Sequence, residues 1–291
     1  MKEFSITIEN YMVVPVDLVK KGQYTPATMD AFLLDKEDAP ETTEARPALI
    51  ICPGGGYAYT SEREGKPIAK KFNSLGFQTF VLNYHTAPFE FPTALCELAV
   101  AVRTVRENAE EWGIDPERIA IAGFSAGGHL AASLCVNYKK DWLLSYLSNA
   151  APEEIMPNAC VLSYPVITSG EFGHQGSFEN LLGMHTDEDK AKKYKQDLVE
   201  LVTLDRHVTE DVPPTFLWHT YEDSSVPVEN SLLYLAALCN AGVLAEFHMF
   251  PFGSHGLSLA TEETANGEEK NIQEECAIWP ELAARFLNQA M

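Results

Sequence analysis

Six short, mainly apolar runs recur along the chain: Ala48 to Cys52, Thr79 to Leu82, Arg118 to Gly123, Ala159 to Ser163, Thr215 to His219 and Ala245 to Phe250. None approaches the ~18 apolar residues of a membrane span. Continuous apolar runs mark strands buried on both faces, as in a parallel sheet. Helical patterns lie between most of them: Pro67 to Leu75, Ala94 to Trp112, Gly128 to Val136, Val228 to Ala241 and Cys276 to Ala290. In the second, Leu95, Leu98, Ala99, Val102 and Val105 recur at helical spacing. Strands alternating with helices predict βαβ units and a doubly wound, mainly parallel α/β sheet. Phe4, Ile6 and Ile8 alternate with polar residues, and Thr28 to Leu34 is a second early strand. These two predict an antiparallel edge. The 291 residues fit one domain. Two stretches, 137–158 and 170–212, fit the alternation poorly and read as small cap insertions. An acidic, proline-bearing loop is expected from Asp35 to Pro47.

Charge narrows the partners. Lys and Arg number 21 against 42 Asp and Glu, a net charge of 21 − 42 = −21. Such a surface repels nucleic acid and anionic membranes. Lys192, Lys193 and Lys195 stand beside Asp187, Glu188 and Asp189, and read as a solvated helix face rather than a basic patch. Met1 to Asn10 carries Lys2, Glu3 and Glu9 and no apolar run, so it reads as neither a signal peptide nor an anchor. The six cysteines are scattered, with no Cys-x-x-Cys pair. Reduced, mostly buried thiols and a cytoplasmic location are expected.

Gly123-Phe124-Ser125-Ala126-Gly127 is a G-x-S-x-G sequence. Its context carries the weight. A predicted strand precedes it and an Ala- and Leu-rich helix follows. A serine at a sharp strand-to-helix turn is a nucleophile elbow. Pro53-Gly54-Gly55-Gly56-Tyr57 follows a buried strand. Its glycines let backbone N–H groups approach a developing oxyanion. Gly55 and Gly56 are the expected donors, with Ala126 as the third.

His255, in Gly253-Ser254-His255-Gly256, follows the last predicted strand and is the candidate general base. The other seven histidines fall before or within the wrong elements. The acid should follow a strand between serine and histidine. Asp223, in the loop Thr220 to Pro227, is the choice, with neighbouring Glu222 its rival. Tyr57 and Tyr59 lie beside the glycine loop, as candidates to stack on a sugar ring or as core residues. No metal or organic cofactor is needed for this chemistry.

The order of these motifs resembles the α/β-hydrolase superfamily. Tyr84-His85-Thr86-Ala87-Pro88, Phe91-Pro92 and Gly113-Ile114-Asp115-Pro116-Glu117-Arg118-Ile119 are similar to segments of hormone-sensitive-lipase-like esterases. Pro53 to Tyr57 followed by Arg63-Glu64-Gly65, together with Phe216 to Thr220 and Val226 to Ser231, resembles bacterial acetylxylan esterase-like hydrolases, some of which carry a xylanase label. Two departures stand out: Pro53 where lipases usually place histidine, and His85 where arginine is common. No carboxylate pair in a glycosidase context supports the xylanase label. The resemblance implies an α/β-hydrolase fold and a serine esterase acting on small or short-acyl esters, acetyl esters of carbohydrates among them. An amide hydrolase with the same triad is the first alternative, and a non-catalytic binding protein on this fold the second.

Overall fold

Along β3 (Arg46–Cys52), Ala48, Ile50 and Cys52 enter one buried cluster while Leu49 and Ile51 enter another. Along β5 (Ile114–Phe124), Ile119 and Ile121 join the first cluster, and Ala120, Ala122 and Phe124 the second. Successive side chains of a strand point to opposite faces. A strand covered on both sides therefore needs apolar residues at every position, and full burial of each Ile or Leu contributes about 1.5–3 kcal/mol.

The computed structural model describes residues 1–9, 24–35, 45–184 and 197–291. The Lys192, Lys193 and Lys195 cluster and most of the loop expected from Asp35 to Pro47 lie outside these residues. Eight strands form one sheet: β1 (Lys2–Ile8), β2 (Ala27–Leu33), β3, β4 (Gln78–Asn83), β5, β6 (Ala159–Ser163), β7 (Thr215–Thr220) and β8 (Ala245–Phe250). Their spatial order is β1-β2-β4-β3-β5-β6-β7-β8. The pairs from β4 through β8 are parallel. β2 runs antiparallel to both β1 and β4, which gives the antiparallel edge.

Helices cover both faces. α1 (Lys66–Ser74) and the C-terminal helix contribute Ile68, Phe72, Ala283 and Leu287 to one core cluster. α2 (Thr93–Glu107), α3 (Ala126–Asn137) and the helix Glu229–Asn240 contribute Leu98, Leu130 and Tyr234 to the other. Along the chain follow α4 (Asp141–Tyr146) and α5 (Gln175–Leu182); the helix Glu229–Asn240 is α6 and the C-terminal helix Trp279–Ala290 is α7, and single helical turns lie at Ala109–Trp112 and Pro152–Ile155.

Two helix boundaries depart most from the expectation. The pattern Ala94 to Trp112 breaks at Asn108, whose side-chain amide donates to the Thr104 carbonyl at 2.7 Å. Such a local side-chain bond competes with the helix ladder. α7 begins at Trp279 rather than Cys276, with Pro280 in its first turn, where the missing N–H costs nothing.

The two expected cap segments have different fates. The connection 137–158 packs along the helix layer. Arg106 on α2 donates to the carbonyls of Glu154 and Met156, Asn158 N–H donates to Ile119 O, and Trp142 meets the Phe91 ring. Among the described residues, no hydrogen bond or ring contact joins it to Ser125, Asp223 or His255. In the second segment, α5 follows β6 and lies beside the glycine loop: Asn180 Nδ2 donates to Gly56 O at 2.9 Å. All six cysteines are free thiols, and all but Cys239 are buried. Among the described residues no helix is long and apolar enough to cross a membrane.

Candidate active site

The strand order reverses between β3 and β5: β4 lies on one side of β3, while β6, β7 and β8 continue beyond β5. Ligands of open α/β sheets bind at the carboxyl ends of strands near such a switch point. The loops that leave β3, β5, β7 and β8 there carry the glycine run, Ser125, Asp223 and His255.

Ser125 sits between the end of β5 and the start of α3 with φ 53 and ψ −118. A non-glycine residue there is strained, and strain of this kind marks functional turns. The turn is held by Ser125 N–H donating to Ser163 O at 3.0 Å and Val166 N–H donating to Ser125 O at 3.1 Å. The flanking glycines are required by close approach. A Cβ on Gly123 would lie 2.2 Å from Gly127 O, and one on Gly127 would lie 2.1 Å from Cys52 O. Those contacts are what bring α3 against the end of β3.

Ser125 Oγ lies 2.7 Å from His255 Nε2, and His255 Nδ1 lies 2.6 Å from Asp223 Oδ2. The serine hydroxyl can donate to Nε2 while Nδ1–H donates to the carboxylate. Asp223 Oδ1 accepts the N–H groups of Ser225 at 3.0 Å and Val226 at 2.9 Å. Burial pushes the Asp223 carboxyl up, but the hydrogen bonds from His219 and His255, the His255 charge and the Val226 N–H outweigh it. The net result holds it well below the usual carboxylate range. Glu222 is exposed, and its carboxylate is 3.4 Å from Gly253 N rather than at the imidazole.

The glycine loop bends beside this serine. Gly55 has φ 123, a conformation L side chains rarely adopt, and a Cβ there would lie 2.1 Å from Tyr59 O. Among the described residues, the N–H groups of Gly55, Gly56 and Ala126 meet no acceptor. α3 also points its N-terminal end at this point, where a helix dipole favours negative charge. Serine, imidazole, carboxylate and free N–H donors together form an arrangement able to carry acyl transfer. No group of three or more His, Cys, Asp or Glu side chains among the described residues is arranged to hold a metal ion.

Tyr57 is only 3% exposed, and its hydroxyl donates to His129 Nδ1 at 2.9 Å. Its ring packs against Tyr84 and His129. Of its two expected roles it therefore takes the core one. Tyr59 is 63% exposed.

Three residues at the site escaped the sequence reading. His219 places Nε2 3.2 Å from Asp223 Oδ2 and 2.9 Å from Val226 O, while Nδ1 faces Ser231 Oγ. With two acceptors at Nε2, that nitrogen carries the proton and Ser231 donates to Nδ1. His174 caps α5, its Nδ1 accepting the Ser177 N–H. Burial and then the nearby His255 charge hold its imidazole below the ordinary histidine value, against a smaller opposing pull from Asp223. Glu64, in the Arg-Glu-Gly stretch, is buried against the glycine loop. Glu64 and His219 stand in stretches that resemble the family, but nothing local gives their roles; His174 lay in the expected cap segment.

Comparison with known proteins agrees with this geometry. A relative named endo-1,4-beta-xylanase B, from Butyrivibrio fibrisolvens, is 36% identical over 76% of this chain and 34% of its own length. An acetylxylan esterase of Xylanibacter ruminicola is 32% identical over 76% of this chain and 43% of its own. The chain thus spans less than half of either relative. Among solved structures, the carboxylesterase Cest-2923 of Lactobacillus plantarum aligns over 99% of this chain and 98% of its own, with 31% identity and a TM-score of 0.82. An acetyl ester-xyloside bifunctional hydrolase of Caldicellulosiruptor lactoaceticus aligns over 92% and 90%, with 35% identity and a TM-score of 0.73. The BD-FAE family model matches residues 34–238. The chain belongs to the BD-FAE family and has the α/β-hydrolase fold.

Proposed function

We propose that this chain hydrolyses small carboxylic esters by acyl transfer through Ser125, with acetyl esters of carbohydrates as its substrate class. One observation carries the reading: the 2.7 Å and 2.6 Å contacts that link Ser125, His255 and Asp223 in series. His255 Nε2 takes the Ser125 proton as Oγ attacks the ester carbonyl. The N–H groups of Gly55, Gly56 and Ala126 hold the oxyanion. His255 then returns the proton to the leaving alcohol, and a water activated by the same imidazole clears the acyl-enzyme. Asp223 keeps Nδ1 protonated and Nε2 free to accept.

The acetyl and carbohydrate parts rest on resemblance and on packing. One relative is named an acetylxylan esterase and one solved structure an acetyl ester-xyloside hydrolase. In the segment beside the glycine loop, Phe178, Leu181 and Leu182 are buried in the core. Their apolar surface is therefore withheld from a long acyl chain.

The test is Ser125→Ala assayed on chromogenic acetyl esters and acetylated xylo-oligosaccharides. The expected loss in kcat is on the order of 10⁴–10⁶-fold, the scale of triad knockouts. A serine-directed organophosphate should add its mass to the Ser125 peptide of the wild-type chain. Near-full activity in the variant, or labelling elsewhere, would overturn the assignment.

A further inference from the structure

The geometry points to Glu64 as a positioning residue that fixes the oxyanion loop and the histidine loop relative to each other. Glu64 is 4% exposed, and its two oxygens face different parts of the site. Oε2 accepts the Gly54 N–H at 2.9 Å, one residue ahead of the proposed donors Gly55 and Gly56. Oε1 accepts the Tyr164 hydroxyl at 2.7 Å. The Tyr164 oxygen in turn accepts the Ser258 N–H at 2.9 Å, three residues beyond His255. The Tyr164 ring stands edge-on to the His255 imidazole, with centroids 5.1 Å apart and planes at 72°. Ser258 Oγ closes the circuit by donating to the carbonyl of Arg63, the neighbour of Glu64.

Gly54 is wedged within this network. A Cβ built there would lie 2.7 Å from Glu64 Oε2 and 3.0 Å from Ser125 Cβ. The carboxylate thus stands one residue's thickness from the nucleophile, with no recorded bond to Ser125 Oγ. Burying a carboxylate is costly, and packing alone would be served better by an apolar side chain. What only a two-oxygen acceptor supplies is simultaneous charge-assisted bonds to two loops. Oxyanion donors act when they are preorganised around the transition state, and small misplacements far from the chemistry reach about 10²-fold in rate.

This inference rests on the acyl-transfer reading, and Ser125→Ala is measured beside it. The variants are Glu64→Ala, Glu64→Gln, Tyr164→Phe and the double variant Glu64→Ala/Tyr164→Phe. Glu64→Ala should lower kcat by about 10²-fold with KM within roughly threefold of wild type. The affinity for an acetyl-mimicking boronic acid should fall in parallel with kcat/KM, a signature that loss of stability alone does not produce. Glu64→Gln keeps an acceptor for Gly54 N–H and should recover to within about tenfold of wild type. The double variant should lose less than the product of the single losses, because both substitutions open the same circuit. Should Glu64→Ala fail to fold, Glu64→Gln and Tyr164→Phe carry the same comparison. Unchanged kcat, a loss confined to KM, or boronic-acid affinity that stays at the wild-type value would overturn the inference. If Ser125→Ala is dead while the Glu64 variants keep kcat, this inference alone fails. If Ser125→Ala is active, the acyl-transfer reading fails first.

Discussion

His219 and His255 meet the same oxygen of Asp223: Nε2 of His219 lies 3.2 Å from Oδ2 and Nδ1 of His255 lies 2.6 Å from it. His219 is fully buried and its other nitrogen is engaged by Ser231. One acid therefore receives a fixed donor from within the core and a second from the edge of the site. The first anchors the carboxylate so that the second is oriented by it.

Asp223→Asn should therefore separate orientation from packing. An amide is isosteric, but its NH₂ faces two imidazole donors and favours the wrong tautomer of His255. The expected loss in kcat is on the order of 10⁴, as in triads where the acid becomes an amide. Glu222→Gln should stay within about twofold of wild type, because Glu222 is exposed and its carboxylate faces Gly253 N rather than the imidazole. Steady-state kinetics on a chromogenic acetyl ester compare the two. A large loss in Glu222→Gln with a mild Asp223→Asn would reassign the acid.

The pH profile should show a single proton on its acid side. The Asp223 carboxyl is held below its ordinary value, so it remains ionised through the usual carboxylate range and titrates only beneath it. Loss of rate above pH ~4 then belongs to protonation of an imidazole, the side chain that titrates in this region. A plot of log kcat/KM against pH should rise with a slope of one and level off. A slope of two in the same range would mean that a carboxylate loses its proton there as well.

His129 predicts an acid-labile fold, independent of catalysis. Its imidazole lies between the Tyr57 hydroxyl and the Val202 carbonyl. Burial pushes its pKa down to about 4, with the Val202 bond opposing. The sign follows from which state binds protons. Below the ordinary value of ~6.5 the unfolded chain takes up a proton that the folded chain refuses. Stability from this group is thus complete above pH ~6.5 and is lost as pH falls through about 4. The total is about 3 kcal/mol. Urea unfolding at pH 7 and pH 4.5 should show this loss in wild type and a smaller one in His129→Gln. Equal pH slopes in the two proteins would remove His129 as the cause.

The proposed triad and the sheet that carries it were legible because each element announces itself locally. A buried strand, a small-residue turn and a helix can be read around Ser125 without knowing what lies across the site. The roles of Glu64 and His219 were not legible, since their partners arrive through folding: Tyr164 is 100 residues from Glu64, and Val226 reaches His219 only by the bend of its loop. Tyr57 looked able to face a sugar, because nothing nearby in sequence reveals that His129, 72 residues away, takes its hydroxyl. The stretch 137–158 follows α3 and precedes β6, so it joins the sheet at the start of that strand. Residues 170–184 follow β6 and emerge beside the site.

That difference bears on acyl length. A long-chain ester needs a broad apolar wall, and each buried CH₂ contributes about 0.8 kcal/mol. The apolar side chains of α5 do not offer one: Phe178 packs edge-on to His129, and Leu181 and Leu182 are buried. What α5 turns to the glycine loop is polar. Asn180 bonds Gly56 O, Ser177 Oγ lies 3.8 Å from where a Gly56 Cβ would stand, and His174 caps the helix beside them. A two-carbon acyl group asks little of such a wall, whereas added methylenes meet polar groups and gain no burial. Across p-nitrophenyl esters, kcat/KM should be highest for acetyl and fall by octanoyl. If every added CH₂ were buried, the gain would instead be about fourfold per methylene. A steady rise from acetyl to octanoyl would place an apolar channel at the site and refute the small pocket.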